Sequence, residues 1–156
     1  MNINFTHVLF FMTITLFLSC NKNKLSIPNT LEENLKNKSE YRQYVHLVNK
    51  SLKKDTLALK EIMLISNIYD GAGYEHGYIL IGIMERIGDH DFNKALLRLN
   101  NPQKENVKEY FEVGMDILFL SEQERSDMEE KYPKTFKTLQ LNRERIHLYE
   151  TRNNNN

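Results

Sequence analysis

Two short stretches hold the chain's densest supply of groups able to move protons or bind metals, Asp70-Gly71-Ala72-Gly73-Tyr74-Glu75-His76 and Asp89-His90-Asp91. Carboxylates and imidazoles brought together can hold a divalent cation or act as acid and base. A metal-assisted hydrolase using Asp70, Glu75, His76, Asp89, His90 and Asp91, with Tyr74 alongside, is therefore one reading. It requires those side chains to converge. Helical spacing argues against convergence: metal-binding His pairs stand four apart to share a helix face, and neither HExxH nor HxxxH occurs. Glu75 and His76 diverge, the first toward a polar strip and the second toward an apolar one. His76 then reads as a hydrogen-bonded core histidine, Asp89 as a helix cap, and His90 and Asp91 as an exposed first turn. No catalytic residue, metal or cofactor is assigned. The glycines of Asp70 to Gly73 lack both phosphate-binding spacings, GxxxxGK[ST] and GxGxxG, and they follow a helix where those motifs follow a strand. Ser39, Ser51, Ser66, Ser121 and Ser126 fall in caps or helices, so no strand-to-helix elbow presents a nucleophile.

The elements that must position these groups read as helices. Tyr41, Val45, Val48 and Leu52 recur at spacings of three and four over about 38 to 53, with Asn37 and Glu40 able to cap the start. Asp55 caps a second helix to about Tyr69, whose buried stripe would be Ala58, Ile62, Ile65 and Tyr69. A third, about Gly73 to Ile87, carries His76, Leu80, Ile83 and Ile87 on one stripe and Gly77, Ile81 and Met84 on another. Glu75, Gly82 and Arg86 remain as its polar strip. A helix apolar over so much of its circumference belongs at the centre. Gly73, Gly77 and Gly82 each cost about 1 kcal/mol of helix propensity relative to Ala, for which close helix contact is the expected compensation.

Gly88-Asp89 separates that helix from one running to about Leu99, with Phe92, Leu96 and Leu99 inward. Asn101-Pro102 opens the next, to about Phe119, burying Val107, Phe111, Gly114 and Leu118. Ser121 and Glu124 form a capping box, Tyr132-Pro133 breaks the helix that follows, and Phe136, Leu139, Ile146 and Tyr149 suit a last one. No segment alternates like a strand. The fold class is all-α, with about seven short helices in an irregular bundle or a short HEAT-like helical-hairpin array. No strict repeat decides between them.

Ahead of the helices stands a segment of different character. Val8 to Leu18 is almost wholly apolar, Ser19 is small, and Cys20, the single cysteine, precedes the polar Asn21-Lys22-Asn23-Lys24. The apolar run is short of the roughly 20 residues that span a bilayer but suits the middle of a secretion signal. Leu16-Phe17-Leu18-Ser19-Cys20 resembles the lipobox of bacterial lipoproteins. The resemblance covers about the first 20 residues. It implies cleavage before Cys20, a diacylglyceryl thioether on its sulfur and acylation of the new amino terminus. Two other readings stay open, a signal cleaved elsewhere beside an ordinary cysteine and an uncleaved anchor. A lipid thioether accounts for an unpaired cysteine in an oxidising compartment, where thiols are ordinarily paired. A single cysteine also excludes a disulfide framework and a Cys-rich zinc site.

On these grounds residues 1–19 form a signal peptide, 20–37 the lipidated cysteine and a flexible tether, 38–150 the helical domain and 151–156 a disordered tail. A flexible tether would span roughly 20 to 25 Å. The chain's 21 basic and 21 acidic side chains balance, which gives no electrostatic reason for a nucleic-acid partner. The functional expectation is a membrane-tethered lipoprotein with a small helical binding domain, accessory or inhibitory in the bacterial cell envelope. Its partners would be the membrane, through acyl chains on Cys20, and a protein. A periplasmic immunity protein against a toxin is an alternative. Asn21 lacks the Asp that resembles an inner-membrane retention signal, which points to the outer membrane, with the domain facing the periplasm.

Overall fold

Several helix starts in this chain are set by short polar side chains that accept otherwise unpaired amides, and the computed structural model shows these caps in place at Asn37, Asp55, Asn100 and Ser121. It describes residues 25–35, 37–66, 68 and 70–141. The signal peptide, Cys20, Tyr69, Ile146, Tyr149 and the tail lie outside the described residues, as does the side chain of Asp70.

Among the described residues there are eight helices and no strand. They are α1 (Asn29–Asn34), α2 (Lys38–Ser51), α3 (Thr56–Met63), α4 (Asp70–Ile87), α5 (Asp89–Leu96), α6 (Asn101–Ile117), α7 (Glu122–Lys131) and α8 (Pro133–Leu139). Asn37 accepts from the amides of Ser39 and Glu40, and Asp55 from those of Leu57 and Ala58. Ser121 and Glu124 close a reciprocal capping box. A second box closes one residue earlier than the sequence suggests, with Asn100 as the cap, Gln103 answering it and Pro102 inside the first turn. Proline fits there because no amide hydrogen is needed.

The all-α class is as read from the sequence, and the arrangement is an irregular bundle of short helices. Its centre is α4, whose Ile79, Leu80, Ile81, Ile83 and Met84 are all essentially inaccessible. The closest interface joins α4 not to a neighbour in sequence but to α6. A Cβ placed on Gly77 would lie 1.9 Å from the Tyr110 carbonyl oxygen and 2.9 Å from the Gly114 Cα. The two helices meet glycine to glycine. They run in the same direction: Asn106 reaches the Ile65 carbonyl, Tyr110 the Ile68 carbonyl, and Gly114 meets Gly77. The hairpin of α2 and α3 packs on one side, and α5, α7 and α8 complete the bundle.

Several local expectations need correction. The buried face of α2 is Tyr44, Leu47, Val48 and Ser51, rotated from the expected stripe, so that Tyr41, Val45 and Leu52 are only partly covered. The second helix stops at Met63, not near Tyr69. The carbonyls of Ile65 and Ile68, freed from helical bonding, are taken by Asn106 and Tyr110 of α6. The third correction concerns the tether: from Leu25 onward it is part of the fold. Leu25 is 4% exposed and Leu31 fully buried, and α1 packs on α4. Gly82, expected on a polar strip, instead forms a notch filled by Leu25, whose Cδ1 would lie 2.6 Å from any Cβ there.

Candidate functional site

The richest buried polar cluster is built around His76, which α4 delivers to the point where α2 and α6 converge. Its Nδ1 lies 2.9 Å from the Tyr44 hydroxyl of α2, and the Tyr110 ring of α6 stands at right angles to the imidazole with centroids 4.6 Å apart. Tyr110 in turn donates its hydroxyl to the Ile68 carbonyl at 3.0 Å. Next to His76 on α4, Glu75 accepts from the Thr30 hydroxyl of α1. A short polar chain thus ties four helices together through neighbouring positions of α4.

Burial governs the electrostatics. His76 has no exposed surface, and desolvation of the charged form pulls its pKa down to about 3. Burial likewise pushes the Tyr44 hydroxyl well above its ordinary range, with the nearby Tyr110 and Glu75 adding to the effect. Near neutrality the pair is an uncharged imidazole and an uncharged phenol sharing one hydrogen bond. An imidazole so hard to protonate cannot act as an acid at such pH, and its lack of surface keeps substrate away. Its Nε2, like Oε2 of Glu75, has no hydrogen-bond partner among the described residues. The cluster can orient helices.

The remaining candidates are held elsewhere. From His76 to Ile87 the helix rises about 16 Å, and Asp89 begins only after the turn at Gly88. Asp89 does not cap its own helix: Gly88, with φ of 89°, occupies that position without a side-chain bond. The Asp89 carboxylate instead accepts the amides of Lys134 at 2.9 Å and Thr135 at 2.8 Å, capping the first turn of α8 across the bundle. Asn93, one turn on, accepts from the Thr138 hydroxyl at 2.7 Å, so α5 and α8 are laced twice. Asp91 pairs with Lys54 at 2.6 Å, and hydrogen bonding to that ammonium lowers its pKa. His90 is exposed, as is Tyr74 at the surface of α4. Of the six polar residues grouped in the hydrolase reading, the five whose side chains are described are therefore not gathered in one place. Among the described residues no three of His, Cys, Asp and Glu are placed to hold a metal ion, and no helix is long and apolar enough to cross a membrane.

Sequence reasoning missed Tyr44 and Thr30 as partners of this cluster. The signal for Tyr44 was available in the spacing Tyr44, Leu47, Val48, Ser51, a helical stripe disguised by ending in serine. For Thr30 there was none, since its segment reads as polar tether. Elsewhere the surface shows an open, mostly polar depression lined by Asn29, Glu32, Glu33, Leu35, Asn37 and Lys38 at the joint of α1 and α2. It also shows large apolar side chains in solvent, with Phe119 at 91% exposure the most extreme. No protein-family description, curated protein or solved structure matches this chain.

Proposed function

We propose that this chain is a bacterial lipoprotein, anchored through acyl groups on Cys20, whose helical domain binds another macromolecule in the cell envelope as an accessory or inhibitory factor. The observation that carries the reading is the uncharged run Val8 to Leu18 ending in Ser19 and the single Cys20. The engagement of the domain's polar side chains with one another supports this reading. Its buried imidazole is closed off, Asp89 and Asp91 serve as a cap and an ion pair, and Glu75 bonds to Thr30. Tethering supplies the mechanism, because confinement at a membrane raises the effective concentration of a weak binder. Several acyl chains give the lasting attachment that one does not.

The fold also sets how far the domain stands from its anchor. Leu25 is packed on Gly82, so five peptide steps separate Cys20 from the folded body, at most about 18 Å. Affinity capture of the full-length tagged protein from its own envelope, followed by mass spectrometry, tests the reading in one assay. The expected result is a mature amino-terminal Cys20 peptide carrying acyl mass, together with a co-purifying partner. A mature chain that begins upstream of Cys20, or an unmodified thiol, would overturn it.

A further inference from the structure

Phe119 combines two costs that stability alone does not explain. Its ring is 91% exposed, and its backbone is left-handed, with φ of 49°, at the turn that ends α6. Its amide donates to the Asp116 carbonyl at 3.0 Å, the role that glycine ordinarily fills after a helix. A bulky residue disfavours that conformation, and this one gains no packing in return. The surrounding segment is uncharged from Ile117 to Ser121, and Ile117 is also exposed. Of the charges beside it, Asp116 is paired with Arg125 at 2.7 Å and the Glu124 carboxylate is bonded to Ser121, while Glu122 is exposed.

Position connects this tip to the start of the chain. Because α4 and α6 run in the same direction through the Gly77 and Gly114 contact, equal steps beyond it lead to the same end of the pair. Five positions past Gly77 is Gly82, the notch filled by Leu25; five past Gly114 is Phe119. Each lies about 7 to 8 Å along its axis from the crossing. The notch that receives Leu25 and the exposed aromatic tip therefore lie at a similar level, both beyond the crossing toward the C-terminal ends of α4 and α6. With Cys20 acylated, Leu25 is held within about 18 Å of the bilayer.

We propose that the Ile117 to Leu120 turn, with Phe119 at its tip, is a lipid-contact wedge that seats this end of the domain on the bilayer anchoring Cys20. The proposal rests on the acylation read above. The fitting surface is one of zwitterionic headgroups, because Glu122 and Glu124 beside the tip disfavour an anionic one. An aromatic ring at headgroup depth is a common anchor, and a second attachment beyond acyl chains would fix the orientation of the domain.

The chain contains no tryptophan, so Phe119→Trp places a single fluorophore at the tip. Leu97→Trp gives a matched control at a residue 63% exposed that precedes the start of α6, about 24 Å along the axis from Ile117. Each full-length lipoprotein is purified from membranes, its Cys20 peptide weighed, and its fold checked by circular dichroism. The acylated proteins are then placed in phosphatidylethanolamine and phosphatidylcholine vesicles with or without brominated acyl chains. Support is at least twofold quenching at position 119 and none at 97. Acylated protein quenched no more at 119 than at 97 overturns the wedge and leaves the tether standing. A blue shift at 119 that appears only when envelope proteins are added assigns the tip to a protein partner and also overturns it. An unmodified Cys20 removes both the tether and the wedge.

Discussion

Replacing Gly77 by alanine puts the central crossing to a quantitative test. The added Cβ would sit 1.9 Å from the Tyr110 carbonyl oxygen, about 1.5 Å short of ordinary contact, and 2.9 Å from the Cα and N of Gly114. All three atoms belong to helix backbone, so none can swing aside. The helices must part, which loosens the packing of Phe111 and Met84, both fully buried. Overpacking of this kind costs typically 1–3 kcal/mol, and a backbone obstacle places it at the upper end, about 3 kcal/mol. Helix propensity returns about 1 kcal/mol, leaving a net loss of about 2 kcal/mol. For a domain of this size that is a fall in Tm of about 8 °C. Gly71→Ala is the internal control, since no atom lies within 4 Å of its Cβ position and the substitution should not destabilise the fold. Urea titration and thermal melts followed by far-UV circular dichroism measure both. A Gly77→Ala protein as stable as the Gly71→Ala protein would refute the close parallel crossing of α4 and α6.

Four other outcomes follow from the same contacts. Burial holds the folded-state imidazole of His76 near pKa 3, below the ordinary 6.5, so between those values the unfolded chain binds the extra proton and stability falls as pH drops. The loss is about 2 kcal/mol at pH 5, complete near pH 3, and absent above pH 7, and urea unfolding of His76→Gln should lack that slope between pH 5 and 6.5. Asp89→Ala strips two amides of α8 of their acceptor and should cost about 1–2 kcal/mol in chemical denaturation, with Asp89→Asn costing less because one acceptor oxygen remains. Leu31→Ala should cost about 2–4 kcal/mol by thermal melt, whereas a segment that merely tethers would tolerate it without change. Phe119→Gly relieves a left-handed backbone and gives up no packing, so it should raise stability by about 0.5–1 kcal/mol in the same assay.

Much of the architecture was legible because its signals are local. Capping at Asn37, Asp55 and Ser121 depends only on residues two or three positions away, and the apolar circumference of α4 follows from its own composition. The crowding of glycine on α4 correctly announced a close helix contact. It could not announce the partner, Gly114, which lies on a different helix. The candidate site fared differently. His76 was readable as a core histidine from its stripe, but Tyr44 entered through a face that the competing stripe of Tyr41, Val45 and Leu52 had disguised. Asp89 stands where a local cap would stand, yet it serves α8 and leaves its own helix to Gly88, because a carboxylate satisfies amides wherever the chain brings them.

By itself, then, the sequence determined the class of fold, the starts of the helices capped at Asn37, Asp55 and Ser121, and the inward position of His76. Each depends on periodicity and capping, which act over a few residues. Only the tertiary structure decided that α4 pairs in parallel with α6, that Leu25 and Leu31 belong to the core, and that the polar residues of 70–76 and 89–91 are kept apart. Those outcomes turn on which surfaces fit one another between segments far apart in the chain, and a notch such as Gly82 has no meaning until the side chain that fills it is in place.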